Sequence, residues 1–95
     1  MQARIAVAKV KFTEAFRVSV LDTQLGHWKK ARQLSEYIAA LAERIADIED
    51  PEAAENASQW LSWVRTYAER LDPLNGEPTM PPHPEPTRLD LAPYM

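Results

Sequence analysis

The chain has 95 residues, enough for one domain at most, and its net charge of −3 is too small to indicate a class of partner. It contains no cysteine, so disulfides and thiolate metal sites are excluded, and we expect a cytoplasmic protein. No apolar run reaches the roughly 18 residues of a membrane span and no secretory signal is visible, so we expect no contact with a membrane.

Charge is unevenly distributed along the chain. Residues 1–33 carry seven Lys or Arg against two acids, whereas residues 34–95 carry four Arg against twelve acids. Such asymmetry indicates either an acidic partner for the first third or a contact between the two parts of the chain.

Residues 1–22 fit two secondary structures. Apolar residues alternate over Phe16, Val18 and Val20 as in a strand, but a helical stripe through Ile5, Ala8, Phe12 and Phe16 fits as well. The alanines of this segment and the marginal stability of an isolated strand pair favour helix. We therefore predict a helical N-terminal segment, with strand as the alternative.

The strongest periodicity lies in residues 23–48, which predict an amphipathic helix. Gly26 allows a bend or a helix start there, since it costs roughly 1 kcal/mol relative to alanine. The predicted inner stripe consists of His27/Trp28, Ala31, Leu34, Ile38, Leu41, Ile45 and Ile48.

A second helix is predicted to begin at Asp50-Pro51-Glu52 and to run to about Leu71. Aspartate caps free N–H groups, proline suits the first helical position, and acids favour the positive end of the helix dipole. The short link before it brings the two helices antiparallel, so residues 23–72 predict a helical hairpin. The predicted inner stripe of the second helix is Ala53, Ala57, Trp60/Leu61, Val64, Ala68 and Leu71.

Residues 73–95 are predicted to form an extended, Pro-rich tail outside the core, because they hold seven of the eight prolines. The predicted fold is thus all-α: an antiparallel helical hairpin, preceded by a helical stretch over residues 1–22 and followed by this tail.

Residues for catalysis are not recognisable. His27 and His83 belong to no metal-ligand spacing, the serines lack a nucleophile context, and two glycines cannot build a phosphate-binding loop. The acids around Asp50 are explained by capping and solubility. We therefore expect no enzyme activity, no metal and no cofactor.

Aromatic side chains offer the best indication of function. Two tryptophans and a tyrosine crowd the second helix, and each hides roughly 150–250 Å² when buried. A hairpin has few places for so much apolar surface, so we expect a non-catalytic interaction or oligomerisation module that buries the aromatic stripe against a protein partner or a second copy. The predicted partner-binding residues are Trp28, Trp60, Trp63, Tyr67 and Leu71.

A nucleic-acid-associated regulatory protein is the alternative function. Basic residues cluster in the first third of the chain, as in a phosphate-binding footprint, although the turns between them are apolar and the whole chain is acidic. The candidate residues are Lys9, Lys11, Arg17, Lys29, Lys30 and Arg32.

The pattern Trp28-x-x-Ala31-x-x-Leu34-x-x-Tyr37-Ile38, followed by Trp60-Leu61-x-Trp63-x-x-x-Tyr67-Ala68-x-x-Leu71-Asp72-Pro73-Leu74, resembles a helical segment found at the C-terminal ends of diverse bacterial proteins. The resemblance covers roughly residues 16–74 and implies an appended helical module that docks on its host or on a partner. This chain departs from the pattern because no large domain precedes the segment and a Pro-rich tail follows it. We therefore expect either a fragment or a free-standing version that acts in trans.

Overall fold

The structure is a computed structural model that describes residues 2–95, and this part of the chain contains helices and no strand. Helix α1 spans Gln2–Ala46, α2 spans Pro51–Leu71, and α3 spans Arg88–Leu91, with a 3-10 turn over Ala92–Tyr94. The all-α prediction is confirmed. Residues 4–20 are helical, so the strand alternative for them is wrong.

The first helix begins earlier than the strongest periodicity predicted. Gly26 lies inside α1 with a negative φ, and neither a helix start nor a break occurs there. A Cβ at this position would meet no other atom within 4 Å. The helix passes through Gly26 because one glycine costs only about 1 kcal/mol, which a long helix tolerates.

Contacts divide the chain into two compact units. One unit consists of the chain up to Gln24 together with Thr79–Met95, and the other consists of Leu25–Pro78.

In the Leu25–Pro78 unit, the later part of α1 packs against α2. Leu61 and Val64 are buried on α2, and Ala31 is buried on α1. The predicted stripe of α1 is buried or half-buried from Trp28 to Ile45, and only His27 of that stripe is exposed. Ile48 is also half-buried, but it follows the end of α1, which lies at Ala46 rather than at the predicted residue 48. On α2, where either Trp60 or Leu61 was predicted to face α1, Leu61 is the buried residue and Trp60 is exposed.

The start of α2 is formed as predicted. Asp50 is the N-cap, and its Oδ2 accepts a hydrogen bond of 3.1 Å from the backbone N–H of Ala53. Pro51 occupies the first turn, where its missing N–H costs nothing. This capping fixes the start of α2, and therefore which of its residues meet α1.

In the other unit, residues 77–87 form no helix, but Leu91 joins the core, so the prediction that all of residues 73–95 lie extended and outside the core is wrong at the C-terminal end. Leu91 on α3 is 4% exposed and Ala8 on α1 is 0% exposed. Lys9 Nζ lies 3.6 Å from Glu85 Oε1. The prediction was wrong here because the proline density ends at Pro86, and Thr87 then caps a short helix.

None of the helices within residues 2–95 combines the length and the hydrophobicity that crossing a lipid bilayer requires.

Candidate interaction surface

Three aromatic rings stack along one side of α2, and we call Trp60, Trp63 and Tyr67 the aromatic ladder. The centroids of Trp60 and Trp63 are 5.5 Å apart with planes 5° from parallel. Those of Trp63 and Tyr67 are 5.6 Å apart at 3°. Steps of three and four residues place the three side chains one above another on a helix, which is why the sequence produces a stack.

The aromatic ladder is largely open to solvent. Trp60 is 52% exposed and Trp63 is 54% exposed, whereas Tyr67 is half-buried. Their neighbours Leu61 and Val64 lie on the adjacent side of α2 and fill the contact with α1. The indoles therefore form an apolar surface beyond what the hairpin core uses.

Lys30 closes the Tyr67 end of the aromatic ladder. Its Nζ donates a hydrogen bond of 3.2 Å to the Tyr67 hydroxyl and lies 5.5 Å from the centre of the same ring. This contact joins α1 to α2 and holds the phenol ring in place. It also puts a positive charge beside the apolar surface.

Tyr37 is a further exposed aromatic ring that helical spacing places near this surface, although the sequence did not assign it to the site. It is 51% exposed and follows Lys30 by seven residues, which is two helical turns, so the two share a side of α1. Because α1 and α2 run antiparallel, a step of seven residues forward on α1 corresponds to a step of seven residues back on α2. Tyr37 is therefore expected to lie level with Trp60, as Lys30 lies level with Tyr67. The spacing from Lys30 to Tyr37 becomes informative only once the contact between Lys30 and Tyr67 is known.

Shallow grooves border the aromatic ladder at each end. Asn56 and Gln59 line one of them together with the two indoles. Arg70 and Leu71 line the other with Tyr67. The surface thus joins exposed rings to amide and guanidinium groups, a mixture typical of protein-binding surfaces.

Two of the five predicted partner-binding residues lie outside the aromatic ladder. Trp28 is half-buried on α1, with the Arg32 guanidinium 5.1 Å from its ring centre. Leu71 is also half-buried and only borders the groove next to Tyr67. Trp60, Trp63 and Tyr67 are the three that the fold brings together.

The basic residues of the alternative function are all exposed, but three of them have contacts within the chain. Lys9 pairs with Glu85, Lys30 bonds Tyr67, and Arg32 lies over Trp28. Lys9, Lys11 and Arg17 belong to one compact unit, and Lys29, Lys30 and Arg32 belong to the other.

Within residues 2–95 no group of three His, Asp or Glu side chains is arranged to hold a metal ion. His27 is exposed on α1, and His83 Nδ1 lies 3.2 Å from the carbonyl oxygen of Pro84.

No family model matches the chain, and neither a curated protein nor a solved structure matches it.

Proposed function

We propose that this chain is a non-catalytic helical interaction module that buries the aromatic ladder against a protein surface. The supporting observation is that two indoles of α2, Trp60 and Trp63, are each about half exposed in a chain with a small core. Burial of exposed aromatic surface of this kind lowers the free energy because water leaves it, and tryptophan and tyrosine contribute most of the binding free energy at many interfaces.

The order of the surface supports the same proposal. The ring planes of the aromatic ladder are already parallel, and Lys30 holds Tyr67 from α1. A partner that docks here meets rings already held in place, so less conformational entropy is lost on binding than for mobile side chains. The resemblance to appended segments of bacterial proteins agrees with a docking role, and we extend the proposal to a cytoplasmic bacterial protein.

The experiment is a mass measurement in solution over a concentration series, with and without candidate partner proteins encoded beside this chain. Trp63→Ala should weaken the association at least tenfold, since hot-spot aromatics contribute about 2 kcal/mol or more. The matched control is Ser62→Ala, the neighbouring exposed residue on another side of α2. Circular dichroism should show the same helicity in both variants. Association that is unaffected by Trp63→Ala would refute the proposal.

Nucleic-acid binding is the second candidate, and the exposed side chains of Arg17 and Lys29 favour it. It is the weaker proposal because half of its six cations have contacts within the chain. A mobility-shift titration at low salt tests it, because phosphate contacts are strongest there. A shift that weakens as salt rises supports this function, and no shift at the lowest salt concentration ends it.

A further inference from the structure

One line of side chains runs along α2 through the aromatic ladder and ends in opposite charges. Its members follow one another at steps of three or four residues, which keeps them on one side of the helix. The acid at one end and the base at the other lie about 27 Å apart along the axis, at 1.5 Å per residue. In chain order the line consists of Glu52, Asn56, Trp60, Trp63, Tyr67 and Arg70.

The two charged ends have no ion-pair partner within the described part of the chain. Among residues 2–95 the one ion pair joins Lys9 to Glu85, in the other compact unit. Glu52 and Arg70 are both exposed. They are therefore available to a molecule that covers the aromatic ladder.

We propose that a second copy of this chain docks on the aromatic ladder with its α2 antiparallel to the first. The proposal rests on the proposed function and narrows the partner to a second copy. A two-fold axis that passes between positions 61 and 62 places Trp60 against Trp63 of the second copy, because the two residues are equally far from that midpoint. The same rotation places Asn56 against Tyr67 of the second copy.

Charge selects the antiparallel arrangement. The rotation brings Glu52 to within one residue, about 1.5 Å along the axis, of the position opposite Arg70 of the second copy, and symmetry repeats this pair at the other end of the interface. A parallel arrangement would instead oppose Glu52 with Glu52 and Arg70 with Arg70, which is repulsive at both ends. The dipoles of two adjacent helices also attract when the helices are antiparallel. The charges along this line of side chains therefore complement those of a second copy only when the two α2 helices run antiparallel.

The available area indicates a weak, concentration-dependent dimer. An indole buries roughly 150–250 Å², and about half of Trp60 and of Trp63 is exposed. The two indoles of one copy therefore offer roughly 200 Å², against about 800 Å² per partner in an interface of standard size. Tyr37, exposed on the same side of the hairpin, and the flanking polar residues enlarge the interface.

The test uses the absence of cysteine from the native sequence. Full-length Glu52→Cys and Arg70→Cys variants, one of them carrying a tag, are mixed and treated with a short bis-maleimide crosslinker. We expect crosslinks between unlike variants and none between like variants, because like positions lie roughly 25–29 Å apart along antiparallel helices. The mixed dimer keeps one of its two Glu52–Arg70 pairs. Glu69→Cys is the control for Arg70→Cys, since it points to another side of α2.

Each outcome bears on a separate claim. Crosslinks between like variants would overturn the antiparallel arrangement, as would equal crosslinking of Glu52→Cys with Glu69→Cys. If Trp63→Ala still abolished association in that case, the proposed function would survive the failure of this geometry. A chain that stays monomeric at high concentration but binds another protein through Trp63 would overturn the second copy as the occupant.

Discussion

The ring of Phe12 on α1 meets the ring of Tyr94 edge-on, with centroids 6.5 Å apart and planes at 78°. Edge-to-face contact at this distance is a favourable arrangement of two aromatic rings. It links the first helix to the last turn of the chain within one compact unit. The C-terminal residues therefore support the N-terminal part of α1.

Leu91→Ala should destabilise this unit by about 2–3 kcal/mol, the lower part of the range for a buried leucine, since the surrounding core is small. The matched control is Leu89→Ala in the same short helix, because Leu89 is 86% exposed and its removal should change stability by less than about 0.5 kcal/mol. Urea unfolding and hydrogen exchange at Ala8 and Phe12 provide the measurements. Equal effects of the two variants would show that Leu91 does not anchor this segment.

The cap of α3 should respond to pH through Asp90. The backbone N–H of Thr87 donates a hydrogen bond of 2.8 Å to the Asp90 carboxylate. This bond has the larger effect and a hydrogen bond with the Thr87 side chain the smaller one, and both lower the pKa of Asp90 below its ordinary value. A lowered pKa means that the stabilising contribution is present above the unfolded-state pKa and is lost as pH falls through the folded-state pKa. NMR titration of the Asp90 carboxyl and of the α3 amides should show this transition.

Asp90→Asn removes the titrating group, so the α3 amides should lose that transition. Thr87→Ala should move the Asp90 pKa only part of the way to its ordinary value, because the backbone bond remains. An Asp90 pKa at or above its ordinary value in the native chain would contradict the two reciprocal hydrogen bonds, from the Thr87 N–H to the Asp90 carboxylate and from the Asp90 N–H to the Thr87 hydroxyl.

Local signals account for the parts of the fold that the sequence predicted. Asp50 and Pro51 define the start of α2 by capping alone, and a regular stripe defines the later part of α1. The N-terminal segment was ambiguous because apolar residues lie on both sides of its helix: Ala8 is buried, while Val10 and Val18 are exposed. A strand pattern and a two-sided helix look alike in such a segment.

Contacts between distant segments could not be predicted in the same way. Leu91 packs in a unit formed with residues far away in sequence, and no periodicity in either segment reports that pairing. Only part of the aromatic ladder could be predicted from the sequence. Helical spacing placed Trp63 and Tyr67 on one side of α2, but it did not determine whether Trp60 or Leu61 would face α1. Leu61 takes the inner position and leaves Trp60 in the stack.

Gly26→Ala should stabilise the chain by about 0.5–1 kcal/mol, because alanine loses less backbone entropy in a helix than glycine. The position accepts a Cβ without contact, and its φ is negative. Ala39→Gly, the reverse change at an exposed position of the same helix, should destabilise by a similar amount. Thermal and urea unfolding measure both variants. Destabilisation by Gly26→Ala would mean that α1 needs a glycine there for a reason other than helix geometry.

Reversal of one charge on α2 should weaken self-association, and reversal of both should restore it. Glu52→Arg places like charges opposite Arg70 at both ends of the symmetric interface, so we expect a roughly tenfold weaker dimer, from two pairs worth up to about 1 kcal/mol each. Glu52→Arg combined with Arg70→Glu recreates opposite charges across the interface. The dimer should then recover most of its affinity in a sedimentation series at low salt, and the difference should shrink as salt rises.

The matched control is Glu55→Arg, which changes the same charge near the same end of α2 on a different side, where Glu55 accepts a hydrogen bond of 3.5 Å from Gln59. Glu52 lies in the first turn of α2 and Glu55 in the second, where the helix dipole acts more weakly, so Glu52→Arg should lose more helicity, and circular dichroism measures that difference. Glu52→Arg should weaken the dimer by more than its loss of helicity explains, and Glu55→Arg should not. If Glu55→Arg weakened it equally, the charge effect would come from helix stability and the Glu52–Arg70 pairing would be refuted.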